Sequence, residues 1–218
     1  MKKIVIFDLD GTLVNSIYDL ADCVNAALAS AGLPQNSLKE YYTFVGNGIE
    51  NLIRTSMKEC GEDDELYRRI RKEFDELYEL HCNDKTVAYD GIEELLCRMK
   101  AEGFSTAVLS NKAHRFVGTI LKKCFPSHEF DAAWGQQDCI KRKPDAEGVE
   151  RLLKLLDFSK EECVYIGDSD VDVITAKNAD VDMIGVLWGF RGKEELVNTG
   201  AKYVASNTEE LFKIITEM

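Results

Sequence analysis

The sequence predicts an α/β fold, in which a doubly wound parallel sheet carries an all-α insertion after its first strand. Three observations indicate this architecture. Short apolar runs with little alternation recur along the chain, helical patterns separate most of them, and residues 16–83 carry helix signals without a strand candidate. Runs of this kind are typical of strands buried on both faces, as in a parallel sheet covered by helices.

The predicted strands begin at the N-terminus with the run Val5-Ile6-Phe7. Further strand candidates lie at 106–109, 163–166 and 183–187, with a weaker one at 130–134. Apolar residues at helical spacing predict a helix over 92–99 and a second one that Asp145 can cap. Because strand and helix alternate, we expect right-handed crossovers and a doubly wound core.

The insertion contains helix patterns and two candidate capping boxes, Ser16-x-x-Asp19 and Ser37-x-x-Glu40. Its last helix lies in the charged run 62–79, which is typical of a solvated helix face.

These elements predict two domains. We expect a core of residues 1–15 and 84–218, and a small helical cap domain of residues 16–83 that is joined to the core by two hinges.

The amino-acid composition indicates which partners are not expected and in which cellular compartment the protein is expected. The 218 residues include 39 acidic and 27 basic side chains, which gives a formal net charge of −12. Nucleic acid and anionic membranes require a cationic surface, so neither is an expected partner. The seven cysteines form no C-x-x-C pair, and the apolar start is too short for a signal peptide, so we expect reduced thiols in a cytoplasmic protein. The sequence leaves a monomer and a homodimer open.

Polar residues follow four of the predicted strands. They are Asp8-Leu9-Asp10-Gly11-Thr12, Ser110-Asn111-Lys112, Gly167-Asp168-Ser169-Asp170-Val171-Asp172 and Trp188-Gly189-Phe190-Arg191, with Lys143 just ahead of Pro144 in the chain. Ligands of an open parallel sheet bind beyond the carboxyl ends of its strands. The four aspartates Asp8, Asp10, Asp168 and Asp172 would therefore converge and repel one another. An oxygen-only set of this kind favours Mg²⁺ and chemistry on a phosphate.

These blocks resemble the four signatures of the haloacid-dehalogenase-like phosphohydrolases, in the family's order and over nearly the whole chain. The matching residues are Asp8-Leu9-Asp10-Gly11-Thr12-Leu13, Ser110, Lys143 and Gly167-Asp168-Ser169-x-x-Asp172. The resemblance implies a Rossmann-like core with a helical cap inserted after the first strand.

By that resemblance, Asp8 is the nucleophile that becomes an aspartyl-phosphate, and Asp10 is the general acid and base. The presence of Asp10 favours phosphate chemistry over carbon–halogen cleavage. Lys143 would balance the charge of Asp8 and of the transferring phosphoryl group. Gly11 would provide the turn, and Thr12 is expected to hydrogen-bond Asp10.

The resemblance also implies the binding groups. Ser110 and the backbone N–H of Asn111 would hold phosphate oxygens, and Thr12 completes this substrate-binding set. Mg²⁺ would take a carboxylate oxygen of Asp8, the carbonyl of Asp10 and a carboxylate oxygen of Asp168. Asp172 would act on the metal through water.

Substrate choice is expected in the cap, where Asn47 stands between Gly46 and Gly48. Backbone N–H groups at a helix start there could bind an anion, and a plain helix–helix turn is the alternative. This stretch and residues 185–190 resemble the phosphoglycolate phosphatase subgroup, which implies a small phosphomonoester such as 2-phosphoglycolate. The nearest following cation is Arg54, so recognition of a substrate carboxylate is left unexplained.

The chain departs from the family pattern at two positions. Asn15 stands where the family often has aspartate, and Asp180 replaces a glycine that is common after a helix. Three alternative functions remain: a phosphomutase like β-phosphoglucomutase, an inorganic pyrophosphatase, and a module that accepts phosphate on Asp8 without turnover. Asp10 argues against the last, because a general base there would hydrolyse the aspartyl-phosphate.

Overall fold

A computed structural model describes all residues of the chain, Met1–Met218. The strands of the main sheet are β1 (Ile4–Phe7), β4 (Ser105–Ala113), β5 (Ala132–Gln136), β6 (Cys163–Gly167), β7 (Asp182–Val186) and β8 (Tyr203–Ala205). They form one parallel sheet in the order β5-β4-β1-β6-β7-β8. A separate antiparallel pair consists of β2 (Val14–Asn15) and β3 (Val87–Ala88).

Ten α-helices accompany the strands. Four lie between β2 and β3: α1 (Ile17–Ser30), α2 (Leu38–Phe44), α3 (Gly48–Ser56) and α4 (Asp64–His81). The other six are α5 (Ile92–Ala101), α6 (His114–Cys124), α7 (Glu147–Leu156), α8 (Asp170–Ala179), α9 (Lys193–Thr199) and α10 (Thr208–Glu217). None of these helices combines the length and the apolarity that a membrane crossing requires.

Strand β1 shows why the chain folds as a doubly wound sheet. All four of its residues are buried, and it pairs with β4 on one side and β6 on the other. Because side chains alternate along a strand, Val5 and Phe7 join one apolar cluster while Ile4 and Ile6 join the other. Helices α5, α6 and α10 contribute to the first cluster, and α7, α8 and α9 to the second. The predicted fold class is therefore confirmed.

The strands predicted in the second half of the chain are all present. The weaker candidate at 130–134 is β5, displaced by two residues to Ala132–Gln136. Strand β8 was not predicted; it has three residues at the sheet edge, and only one of them is buried.

The four inserted helices pack mainly through α1 against α4 and share the larger apolar cluster with the sheet. The chain crosses between the sheet and these helices at β2 and β3. The two crossings pair with each other, with Val14 opposite Ala88 and Asn15 opposite Val87. The side-chain oxygen of Asn15 also accepts a hydrogen bond from the backbone of Ile17, at the first residue of α1.

One of the two predicted capping boxes is wrong. At Ser37, the backbone N–H donates to Glu40 at 2.7 Å, as a capping box requires. At Ser16, the hydroxyl instead donates to Asp10 at 2.5 Å. The carboxylate of Asp19 accepts the backbone N–H groups of residues 85–86 from the returning chain. Ser16 and Asp19 therefore bind residues outside α1 instead of forming a capping box with each other.

Candidate active site

Three carboxylates converge at the carboxyl ends of β1 and β6. Asp8 follows β1, Asp168 follows β6, and Asp172 lies in the first turn of α8. All three are buried, and one carboxylate oxygen from each lies within 4.8 Å of the others. The parallel register causes this approach, because the backbone N–H of Asp8 still pairs with the carbonyl of Ile166. The structure brings these three aspartates together as the sequence predicts.

Lys143 lies between two of these carboxylates. Its Nζ is 2.9 Å from Asp8 and 2.8 Å from Asp172, and it also donates to the hydroxyl of Tyr165 at 3.1 Å. The side-chain amide of Asn111 holds the Lys143 backbone at both its N–H and its carbonyl. Burial opposes the charge of Lys143, but Asp172 and Asp8 raise its pKa well above the usual value. Lys143 is therefore a fixed cation beside Asp8.

Both carboxylate oxygens of Asp172 already have protein partners. Oδ1 accepts from Lys143 and from the Tyr165 hydroxyl, at 2.8 and 3.3 Å. Oδ2 accepts from the backbone N–H and the hydroxyl of Ser169, which forms the capping box that starts α8. Asp172 thus ties Lys143 to the beginning of this helix.

Asp10 occupies a different environment from the other three aspartates. Nζ of Lys112 lies 3.0 and 3.1 Å from its two oxygens, and the Ser16 hydroxyl donates to one of them. Lys112 is buried and lies over the ring of Tyr78, 5.0 Å from its centroid. No role was predicted for Lys112 from the sequence. Its position two residues after Ser110 in β4 was the available signal, because alternate residues of a strand share a face.

The predicted hydrogen bond between Thr12 and Asp10 is wrong. The Thr12 hydroxyl donates to Oδ1 of Asp168 at 3.2 Å. Gly11 causes this, because its φ of +86° turns the chain and a Cβ at Gly11 would lie 2.3 Å from Oδ2 of Asp168. The backbone N–H of Phe190 donates to that second oxygen at 2.7 Å, so Asp168 is held from both sides.

The electrostatics of the cluster favour a bound cation. Burial raises the pKa of Asp8 from 3.8 to about 7, although Lys143 opposes the shift. Burial, Asp172 and Asp8 together raise the pKa of Asp168 well above its usual range. One lysine is thus too little positive charge for three buried carboxylates. An oxygen-only donor set of this kind fits Mg²⁺.

A cavity of about 70 Å³ opens beside Asp8, between the sheet and the inserted helices. Its wall on the sheet side includes Asp8, Asp10, Ser110, Asn111 and Lys112. Its wall on the other side consists largely of apolar side chains from α1, α3 and α4. Ser110 is buried, and its hydroxyl accepts the backbone N–H of Lys112. Of the predicted catalytic and substrate-binding residues, Asp8, Asp10, Ser110 and Asn111 therefore face one small space, while Thr12 and Lys143 do not line it.

The structure does not bring Asn47 into this cavity. Gly46 and Gly48 line the wall, while Asn47 is the residue before α3 and its carbonyl contacts Arg142 at 3.5 Å. Arg54, the nearest cation after Asn47 in the chain, is also absent from the wall and pairs with Glu50 and Asp64.

Instead, core side chains contact the backbone of this loop. Asn111 donates to the Gly46 carbonyl at 3.2 Å, and Arg191 donates to the Val45 carbonyl at 2.8 Å. These bonds hold the loop over the end of the sheet. Arg191 follows a predicted strand, but its contact with this loop was not predicted from the sequence.

The cavity wall contains a cation that the sequence analysis missed. Arg71 of α4 lines it, although the charged run 62–79 was interpreted as a solvated face. The available signal was its spacing, because Arg71 lies three residues before the buried Phe74 and therefore shares that side of the helix.

Comparison with known proteins gives consistent similarities. Residues 5–186 match the family model described as haloacid dehalogenase-like hydrolase. Phosphoglycolate phosphatase from Vibrio cholerae is 29% identical over 98% of this chain and 96% of its own length. The enzyme of the same name from Psychrobacter arcticus is 32% identical over 89% and 87%. A crystal structure from Lactobacillus delbrueckii subsp. bulgaricus, described as a candidate phosphoglycolate phosphatase, has a TM-score of 0.92, 31% identity and 99% coverage of both chains.

Proposed function

The chain belongs to the haloacid dehalogenase-like hydrolases, and from that premise we propose that it is a Mg²⁺-dependent phosphatase. It would hydrolyse a small phosphomonoester through an aspartyl-phosphate on Asp8. The observation that carries this proposal is the position of Asp8, buried at the end of β1 between Lys143 and Asp168 and open to the cavity.

Asp8 has one carboxylate oxygen available for attack. Oδ1 accepts from Lys143 at 2.9 Å and from the backbone N–H of Leu9 at 2.7 Å, whereas Oδ2 has no hydrogen-bond partner in the protein. In the first step, a carboxylate oxygen bonds to phosphorus and the phosphorus–ester oxygen bond breaks. In the second step, water attacks the phosphorus, and the bond between phosphorus and Asp8 breaks to restore the carboxylate.

Asp10 would carry the proton in both steps. It would donate a proton to the leaving ester oxygen and later take one from the attacking water. Lys112 and Ser16 fix its carboxylate at the cavity edge. The hydroxyl of Ser110 and the backbone N–H of Asn111 would hold the phosphate oxygens, since both residues line the same space.

The metal would be held by the carboxylates of Asp8 and Asp168 and by the Asp10 carbonyl. Mg²⁺ bound there would neutralise charge on the phosphoryl group. Thr12 and the Phe190 backbone orient Asp168 for this role. Asp172, whose oxygens are both occupied, would act on the metal through water.

Residues 16–83 would serve as a cap that excludes water, with β2 and β3 as its connections to a core of residues 1–15 and 84–218. Asn47 lies outside the cavity wall, so its proposed part in substrate binding would be limited to placing the start of α3, where Gly46 and Gly48 line the cavity. We propose 2-phosphoglycolate as the substrate, because the relatives from Vibrio cholerae and Psychrobacter arcticus are named phosphoglycolate phosphatases and because the cavity is small.

The test measures phosphate release from a panel of phosphomonoesters, with EDTA and with Mg²⁺. We expect Mg²⁺-dependent turnover that Asp8→Asn abolishes while the protein stays folded. Asp170→Asn is the matched control, because Asp170 is a neighbouring aspartate at the start of α8 that is not part of the three-carboxylate cluster. Retention of more than a few per cent of the activity by Asp8→Asn would contradict the assignment.

Three further measurements on the same protein distinguish the alternative functions. Isomerisation of a sugar phosphate without net phosphate release would indicate a phosphomutase. Preference for pyrophosphate over 2-phosphoglycolate would indicate a pyrophosphatase. A phosphoenzyme that is stable for hours in Mg²⁺ would indicate a module that accepts phosphate without turnover.

A further inference from the structure

One face of α4 forms the far wall of the cavity. Arg71, Phe74, Asp75 and Tyr78 all line it, at the spacing that places residues on the same side of a helix. Phe74 and Tyr78 are buried and stack with ring centroids 5.0 Å apart. This rigid aromatic pair fixes the face of α4 against the cavity.

The guanidinium of Arg71 is only partly used by the protein. Nε donates to Asp75 at 2.8 Å and Nη1 lies 3.5 Å from the Tyr67 hydroxyl, while Nη2 makes no hydrogen bond. Asp75 is itself shared, because Arg115 of α6 approaches its other oxygen at 3.4 Å. Asp75 thus orients Arg71 through one edge and leaves the Nη2 donor available.

A second polar group on the same wall lacks a partner. The hydroxyl of Tyr78 is buried and makes no hydrogen bond of good geometry, and Nζ of Lys112 is the cation that lies beside it. A buried hydroxyl without a partner is unfavourable, so such a group in a cavity wall points to a ligand atom that completes it. Tyr78 and Arg71 are two turns apart on the same helix face.

The other cation of the cavity is already committed. Lys112 pairs with both oxygens of Asp10, so it balances a charge that belongs to the protein. Most of the remaining wall is apolar. Arg71 is therefore the group that can bind a second anion on a substrate whose phosphate lies at Asp8.

We propose that Arg71, assisted by the Tyr78 hydroxyl, binds a carboxylate of the substrate and selects phosphorylated carboxylic acids over uncharged phosphomonoesters. This inference rests on the proposed phosphatase function and names the substrate class of the same site. An arginine is suited to this role, because its planar fork can form two hydrogen bonds with one carboxylate.

The experiment compares kcat/KM for 2-phosphoglycolate and 3-phosphoglycerate with that for ethyl phosphate, which lacks the carboxylate. For the wild-type protein we expect one of the two acids to be preferred by about 100-fold or more, as is typical when a site is built to bind a polar group. Arg71→Gln is expected to lower that preference by at least about tenfold, and Arg71→Lys to restore part of it. Tyr78→Phe is expected to lower it in the same direction.

Arg69→Gln is the matched control, because Arg69 is an exposed arginine of the same helix that lines neither the cavity nor the surface beside Arg71 and instead donates to the Ala31 carbonyl. It should leave both values unchanged. Two results would overturn the inference: equal kcat/KM for the acids and ethyl phosphate in the wild type, or an equal loss on both kinds of ester in Arg71→Gln. Either leaves the proposed phosphatase function in place. That function fails separately, if no monoester is hydrolysed in the presence of Mg²⁺, and this inference then fails with it.

Discussion

Nζ of Lys112 lies 3.0 Å from Oδ1 of Asp10, and the two side chains are only 4% and 13% exposed. We expect Lys112→Met to lower kcat by at least about tenfold, because the carboxylate proposed to transfer protons loses the cation that fixes it. Breaking a buried pair also destabilises a protein by about 3–5 kcal/mol. Steady-state kinetics and urea unfolding would measure both effects. An unchanged kcat would remove Lys112 from the acid–base arrangement.

The raised pKa of Asp8 predicts how pH and metal act on stability. Its pKa is raised mainly by burial, from 3.8 to about 7, so the folded protein binds the proton more tightly than the unfolded chain. In metal-free protein, this contribution is fully present below about pH 4 and is lost as the pH rises through about 7.

Mg²⁺ requires the deprotonated carboxylates, so its stabilising effect should grow over the same pH interval. We expect the increase in melting temperature on adding Mg²⁺ to be larger at pH 8 than at pH 5. Thermal denaturation in EDTA and in Mg²⁺ at both pH values measures this. An equal increase at the two pH values would show that metal binding does not compete with protonation of these carboxylates.

The contact from Thr12 to Asp168 predicts a specific effect on metal affinity. Thr12→Val keeps the shape of the side chain but removes the hydroxyl that donates to Asp168. Loss of an outer partner of a metal ligand typically costs about 10–100-fold in affinity or activity. We therefore expect the Mg²⁺ concentration for half-maximal activity to rise at least about tenfold.

Thr175→Val is the control for this prediction. Thr175 is also buried, but its hydroxyl donates to a carbonyl within α8. It should leave the Mg²⁺ dependence unchanged. If Thr12→Val changed only KM for the ester, Thr12 would contact the substrate rather than orient the metal ligand.

Asp180 predicts a stabilising substitution. It ends α8 with φ of 57°, in the left-handed region where glycine is favoured. We expect Asp180→Gly to raise the free energy of unfolding by about 0.5–1 kcal/mol. Lys177→Gly, inside the same helix, should instead lower it by about 1 kcal/mol. Chemical denaturation would compare the two, and a loss of stability in Asp180→Gly would contradict the prediction.

The fold could be predicted from the sequence because its central strands are buried on both faces and therefore apolar throughout. Strand β8 was not predicted, because it is short, lies at the edge of the sheet and has only Ala205 buried. The capping box at Ser16 failed for a related reason. A local pattern shows which hydrogen bonds are available nearby, but Asp10 and the returning chain offered that segment other partners in space.

Short sequence motifs predicted that the three carboxylates would converge, but they did not predict the residues outside the motifs. Asp8, Asp168 and Asp172 follow strand ends, and a parallel sheet brings such ends together. Arg71 belongs to no motif, and its neighbours in α4 are as charged as those of a solvated helix. Its proposed role depends on which side of α4 faces the cavity, and the packing of Phe74 and Tyr78 shows which side that is.

The pairing of β2 with β3 brings the two ends of the inserted helical segment together. Since Val14 lies opposite Ala88 and Asn15 opposite Val87, the chain departs and returns through neighbouring positions. A two-residue turn is enough to join antiparallel strands. We therefore expect that the segment between Ser16 and Val87 can be exchanged for another with equally close ends while Asp8 and Asp168, which follow strands of the main sheet, keep their positions. Changes in this segment would thus alter which molecules enter the site without displacing the proposed nucleophile Asp8.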